Sequence, residues 1–470
     1  MRNPISKTFG VSLAAILAAA TSFSATAGVA GNNALTFALP AVPEERAGVE
    51  PSTEAKQLND KGLEHLKKKE FDQAIQLFRE ALDRQPDYPE ALDNLGKALD
   101  STGKDDEAIA DFDKALKLAP QDASIHFDKA LALYHEKKLD ESVAAYRKAI
   151  ELHANFPEAE NGLGAALMSL GKTDEAITAF RKAIALNPNN ADALNNLGGA
   201  LMAQNKAEEA IPFYRKAHKV RPELPDILAN YAHALGEAGH TTEAIAAYHK
   251  LVAKHPDQSS AWAQLGHLYY KAKRYDQASA AFQKSVTLKP DQPDVALALG
   301  MMEYEQGKTA EAIQSLERSL VLEPNNFHAL YALASAYYAQ KDYAKAAASY
   351  EKALAQKPDY TDALVGLASS QFASNEFDLA IASYQKLVPL KPDDPNIQFH
   401  LGTALFNKEK YQEAAAAYRE AIRLKPDLAH AHYNLGMALL RLNDAKSAQA
   451  EFAEAHRLDP SLKPPNGATR

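Results

Sequence analysis

Proline recurs along this chain on a strict 34-residue grid. Pro86, Pro120, Pro188, Pro222, Pro256, Pro290, Pro324, Pro358, Pro392, Pro426 and Pro460 all fall on it, and only Ala154 breaks the series. The grid defines twelve repeats without insertion or deletion: 55–88, 89–122, 123–156, 157–190, 191–224, 225–258, 259–292, 293–326, 327–360, 361–394, 395–428 and 429–462. A period of this length, held without a slip, restricts the chain to stacking one small motif on the next, because a single motif cannot bury both of its faces. The 470 residues would by length alone suggest about three domains. The repeat replaces that expectation with one array.

Within each repeat the special residues keep their places. Position 8 is always Gly or Ala, as in Gly62, Gly96, Ala130 and Gly164. Position 20 is Ala except for Ser142, and position 24 is aromatic except for Leu316. In the first half of a repeat, positions 4, 7, 8 and 11 share one helical face, as in Leu92, Leu95, Gly96 and Leu99. The second half returns Ala108, Phe112 and Ala115 at matching intervals, so a large ring meets a small residue across two helices. The Asp or Asn after the grid proline, as in Asp87, Asn189, Asp291, Asn325 and Asp359, suits a turn into the next helix. These residues resemble the tetratricopeptide repeat from 55 to 462. The resemblance implies an all-α fold, an α-solenoid wound as a right-handed superhelix of helix-turn-helix repeats. It also implies that first helices line a concave groove for a peptide or protein segment.

The ends differ from the array. Arg2 and Lys7 precede an apolar run from Phe9 to Ala20, and Ala25, Thr26 and Ala27 supply small residues of a cleavage site, so 1–27 reads as a secretory signal peptide. An uncleaved anchor is the first alternative, but the apolar run is short against the roughly 20 residues that span a bilayer. A transit peptide is the second, and it would be richer in Arg. Residues 28–54, with Gly28, Gly31, Pro40, Pro43, Gly48 and Pro51, read as a flexible linker, and 463–470 as a polar tail. The expected location is the periplasm or the exterior, after cleavage following Ala27.

Composition removes several function classes. The chain has no Cys, hence no disulfide, thiolate metal site or Cys nucleophile. A net charge of −9 opposes non-specific binding to nucleic acid. Neither HExxH, a phosphate-binding Gly-Lys-Ser/Thr loop nor a GxSxG elbow occurs. Gly162 and Gly164 fall inside a predicted helix with no strand before them, which fits close packing better than dinucleotide binding. His233 and His267 share position 9 of adjacent repeats, without a third ligand fixed nearby, and His430 and His432 point in different directions. No enzyme activity, cofactor or metal site is expected.

Helical geometry at about 100° per residue leaves positions 2, 5, 9 and 12 as a stripe opposite the packing face. Position 12 reads Tyr270, Tyr304, Tyr338, Phe372 and Phe406 in five consecutive repeats. Tyr331, Phe399 and Tyr433 at position 5, with Met301 at position 9, extend this apolar stripe. Such residues are either anchors for a partner's hydrophobic side chains or an extension of the core. At position 6, Asn196, Asn230 and Gln264 come from successive repeats, with Asn94 and Asn434 further out. A row of carboxamides can hydrogen-bond an extended peptide backbone. It resembles the asparagine ladder of the arrays attached to O-linked N-acetylglucosamine transferases, although Asp128, Gly162, Ala298, Ala332 and Gly366 interrupt it. The plain alternative is a polar residue at a half-exposed place. Acidic residues at position 2, such as Glu90, Asp192 and Asp294, either make the groove electronegative or complement helix dipoles. Position 5 holds no Lys or Arg, so a clamp for C-terminal carboxylates is not expected.

Three functions fit this reading. One is an exported scaffold that binds protein or peptide segments and assists an export, polysaccharide or pilus-type assembly. A second is a self-assembling structural protein that uses the outer face of its last repeat, although Lys446, Glu451, Glu454 and Arg457 already make that helix polar. A third is a regulatory or substrate-presenting subunit of an enzyme carried on another chain.

Overall fold

The computed structural model describes residues 51–465, so the expected signal peptide, most of the linker and the end of the tail lie outside the described residues. The described residues form twenty-four α-helices and no strand. First helices run from position 1 to about position 13, as in Ala191–Ala203, and second helices from position 17 to 30, as in Ala207–Val220. The chain divides at Pro256 into two compact halves of six repeats, 51–256 and 257–465. In each half a first helix packs on its own second helix, and that second helix on the next first helix. Successive first helices also approach one another at most junctions, which sets them on the inner side of the stack. Each half is therefore an α-solenoid.

Local chemistry starts many of the first helices and stops them all. Pro89, Pro157, Pro225, Pro293 and Pro395 open first helices, where the missing N–H leaves no bond unmade. Asp122, Asn190 and Asn326 cap others by accepting hydrogen bonds from backbone N–H groups of the first turn, and Asp394 caps the helix that Pro395 opens. These caps stand at position 34, one residue after the Asp and Asn picked out at position 33, because the helix begins at position 1 of the next repeat. At the other end, position 15 is left-handed in all twelve repeats, with φ between 59° and 86°. Gly103, Gly171, Gly239 and Gly307 adopt it freely, whereas Lys69, Lys137, Asn205, Lys273, Lys341, Asn375, Glu409 and Asn443 do so against their Cβ. The residue that follows donates its N–H to the carbonyl of position 11, as Lys104 does to Leu99 at 3.0 Å.

The ring at position 24 sits in the gap left by position 8. A Cβ added to Gly96 would lie 2.6 Å from Phe112 Cε1, and one on Gly266 would lie 2.5 Å from Phe282. Large rings and small residues thus fill one another's space, as the sequence pattern requires. The buried arc of the first helix is wider than positions 4, 7, 8 and 11. Position 3 and position 10, mostly Ala, are buried in every repeat after the first, as in Ala91 and Ala98. Within each half they receive the preceding repeat's second helix. Where repeat 1 has no repeat before it, Gln57 and Glu64 occupy these places and are exposed. On the last second helix, Gln449 and His456 replace the mainly aliphatic residues of positions 21 and 28 and are likewise exposed. Both terminal faces are polar.

Replacing Lys137, Lys273 and Lys341 by Gly removes three strained left-handed Cβ atoms. Each change should stabilise its turn by about 0.5–1 kcal/mol after Gly's entropy is counted. A rise in the thermal midpoint of the triple variant by circular dichroism checks this.

Candidate functional site

The inner faces are built by a seam between positions 5 and 6. At three junctions of the N-terminal half, the amide at position 6 donates its Nδ2 hydrogen to the Oδ1 of an Asn at position 5 of the preceding repeat: Asn94 to Asn59, Asn196 to Asn161 and Asn230 to Asn195, each at 3.0 Å. The 35-residue separation places these partners side by side on adjacent first helices. The amides therefore hold neighbouring repeats in register before they meet any partner. Asn94 is buried, while Asn196, Asn230, Gln264 and Asn434 are half-buried, and Asn434 hydrogen-bonds Tyr418.

Position 6 also faces the ring at position 24 of the repeat before it, which explains two of the interruptions. A Cβ at Gly162 would meet Tyr146 Cζ at 2.5 Å, and one at Gly366 would strike Tyr350. Both tyrosines share their own repeat with Ala at position 8, Ala130 and Ala334, rather than Gly, and they lean on the next repeat instead. His400 replaces the amide by stacking on Tyr384, 5.9 Å between centroids.

At the junction of repeats 2 and 3 the seam is ionic. Position 5 is Asp93 and position 6 of the next repeat is Asp128. Lys97 Nζ lies 2.8 Å from Asp93 and 2.9 Å from Asp128. The side chains of both acids are nearly sealed from water and that of Lys97 is 20% exposed. Burial opposes the charge of Lys97, but Asp128 and Asp93 together hold its pKa above the ordinary lysine value. Asp128 is pushed up, by burial first and by Asp93 next, with Lys97 opposing.

The expected apolar stripe separates into two classes. Tyr270, Tyr304, Tyr338, Phe372 and Phe406 at position 12 are all half-buried. Four of them meet the aromatic that opens their own second helix: Tyr270 with Tyr275 at 5.8 Å, Tyr338 with Tyr343 at 5.3 Å, Phe372 with Phe377 at 5.4 Å and Phe406 with Tyr411 at 5.3 Å. This pairing of positions 12 and 17 was legible as Tyr or Phe five residues apart, and the sequence reading missed it. At position 5 Tyr331 belongs to the core, whereas Phe399 and Tyr433 are half-buried like the residues of position 12. Tyr331, 5% exposed, Phe399 and Tyr433 each lie against their own repeat's position 24 ring, Tyr350, Tyr418 and Phe452. Met301, 3% exposed, is also core. Tyr331 and Met301 are corrected from groove to core, because the repeat rotates positions 5 and 9 partly toward the second helix. His267 packs edge-on against Phe282, and burial and Lys271 push its pKa down to about 4. Among the acids of position 2, burial raises Asp192 and Asp294, and Asp362 pairs with Lys391 at 3.1 Å.

Two expectations follow from the seam. Gly366→Ala should destabilise repeats 9 and 10 by about 1–3 kcal/mol through overpacking, and Tyr350→Leu should restore part of the loss in a double-mutant cycle by denaturant unfolding. Lys97→Met should cost about 3–5 kcal/mol at neutral pH, because two buried carboxylates then face each other uncompensated. In that variant the folded state holds a proton more tightly than the unfolded one. Its stability is therefore greatest in acid and falls as pH rises through the raised carboxyl pKa, so the deficit against wild type should shrink toward pH 5 in thermal melts.

Comparison with known proteins follows the same geometry. Family models described as tetratricopeptide or TPR repeats match 59–123, 106–160, 164–205, 201–263, 337–399, 403–443 and 429–462. Residues 249–360 match the TPR domain of cytochrome c-type biogenesis protein H. No curated protein matches the chain. Similar solved structures include pilF of Pseudomonas aeruginosa, 24% identical over 44% of this chain and 94% of its own, with a TM-score of 0.39. MamA of Desulfovibrio magneticus RS-1 is 23% identical over 37% and 97%, with a TM-score of 0.35. YrrB, a TPR protein described as having an unusual peptide-binding site, is 23% identical over 39% and 95%, with a TM-score of 0.37. The repeat pattern, the paired helices and the matches along nearly the whole array agree, and the chain belongs to the tetratricopeptide repeat family.

Proposed function

We propose that this protein is an exported, non-catalytic scaffold that holds protein or peptide segments against its first helices and assists assembly in the bacterial cell envelope. The observation that carries this reading is the line of half-buried aromatics at position 12 of repeats 7 to 11. Each ring is braced by the core on one side and retains accessible surface on the other, which favours an anchor that costs little entropy on binding. The half-buried amides of position 6 supply polar partners beside them. Export rests on the signal-like pattern of 1–27. Among envelope processes, the match of 249–360 to a cytochrome c-type biogenesis TPR domain favours maturation of c-type cytochromes over polysaccharide, export or pilus assembly. That segment contains Tyr270, Tyr304 and Tyr338. End-to-end self-assembly is disfavoured, since Gln57 and Glu64 at one face and Gln449 and His456 at the other put exposed polar groups where internal repeats place mainly apolar ones. Among the described residues no helix is long and apolar enough to cross a membrane.

The test uses Leu, which repeats 1 and 12 already carry at position 12 as Leu66 and Leu440. A Tyr270→Leu, Tyr304→Leu, Tyr338→Leu variant should keep its helicity by circular dichroism. In a pull-down from the envelope fraction, with protein from Gly28 onward as bait, it should lose most of the partner recovered by wild type. Equal recovery by a folded variant overturns the aromatic-anchor reading, and recovery of the bait alone by wild type overturns the scaffold reading.

A further inference from the structure

The fold brings positions 12 and 17 of a repeat together, as the four aromatic pairs show. In repeat 2 these positions hold Asp100 and Asp105. The next repeat adds His135, whose Nδ1 lies 2.9 Å from Asp100 Oδ1, so the three groups come from two repeats. One ligand atom from each lies within 4.8 Å of the others, and among the described residues this is the one such group of three or more. Asp105 Oδ1 is shielded from solvent and accepts no hydrogen bond.

Helix electrostatics accounts for only part of this arrangement. Asp105 opens the helix Asp105–Leu118, where an acid is favourable, but Asp106 and Glu107 supply the same charge from more exposed places. Asp100 ends the helix Pro89–Asp100, where a carboxylate is unfavourable. Burial and then Asp100 push the Asp105 carboxyl up, with His135 opposing. Lys138, the nearby lysine, is engaged by Asp106 at 2.8 Å. Two acids thus meet where other repeats place rings, with one imidazole between them and the solvent.

We infer that Asp100, Asp105 and His135 bind one divalent transition-metal ion that ties repeat 2 to repeat 3. Two carboxylate oxygens and an imidazole nitrogen form a mixed donor set suited to Zn²⁺ and its first-row neighbours and poorly suited to Ca²⁺ or Mg²⁺, which take oxygen ligands. Ligands at roughly 2.0–2.2 Å from a shared tetrahedral ion stand about 3.3–3.6 Å apart, so an ion would part His135 Nδ1 and Asp100 Oδ1, now 2.9 Å from each other, and side-chain rotation at a half-exposed edge allows it. The ion would replace the direct contact of His135 with Asp100 and neutralise both acids. The site adjoins the Lys97 seam, so the same junction would be held twice.

Isothermal titration of the full chain with ZnCl₂ tests the site, with His135→Gln and Asp105→Asn as variants and circular dichroism as the folding control. One saturable ion is expected, with affinity at least roughly tenfold weaker in each variant. Without metal, Asp105→Asn should melt at or above the wild-type temperature, since it removes a repelling charge, and it should lose the Zn²⁺-dependent rise in that temperature. Absence of saturable binding, binding unchanged in both folded variants, or equally tight binding of Ca²⁺ would each overturn the assignment.

Discussion

Most repeats depend on one fit, the ring of position 24 in the hollow above a glycine at position 8. Phe112 over Gly96 and Phe282 over Gly266 lock two helices at a distance that a Cβ would not allow. Because this contact is local, it can recur from repeat to repeat without long-range pairing, and each repeat needs only its neighbours to complete its core. The polar residues at the outer faces of repeats 1 and 12 are consistent with the same logic, since those faces meet no further ring or alanine.

Freedom is left at the seam between repeats. Within each half, different junctions solve the contact around positions 5 and 6 with different chemistry: paired amides at Asn161 and Asn196, a lysine between two acids at Asp93 and Asp128, a glycine under a tyrosine at Gly366. The solution at one position constrains the others. Where Ala stands at position 8 in repeats 3 and 9, the ring leans forward and the next repeat gives up its side chain at position 6. A polar seam must be satisfied in place, since an unpaired amide or carboxylate at these depths would destabilise the junction by more than the pair contributes. Along these junctions the polar groups of the first helices are engaged in holding repeats together.

The edge formed by positions 12 and 17 shows how one geometry carries different roles. Aromatic pairs stand there in four C-terminal repeats, and their position 12 rings are half-buried. Carboxylates there in repeat 2 converge with His135 of the next repeat, the cluster proposed above to take a cation. A repeat scaffold changes function in this way by exchanging residues at a fixed juxtaposition, with the backbone unchanged.

The sequence by itself determined the repeat, its length, the all-α class and the ring-on-glycine core, because those follow from period and side-chain volume. It left position 12 open between an accessible stripe and an extension of the core, and the structure makes these rings half-buried. It did not place Tyr331 and Met301 in the core, nor the buried alanines of positions 3 and 10, since helical angle alone does not say how many neighbours a helix has. The left-handed residue at position 15 was hidden by Lys and Asn standing where Gly alternates. Above all, the seam was decided by tertiary structure. Asn196 reads as a free amide until the next first helix lies beside it and supplies Asn161, and Asp100, Asp105 and His135 converge only when two repeats stack. Contacts within a repeat are written in its period, whereas contacts between repeats depend on how one helix is set against the next.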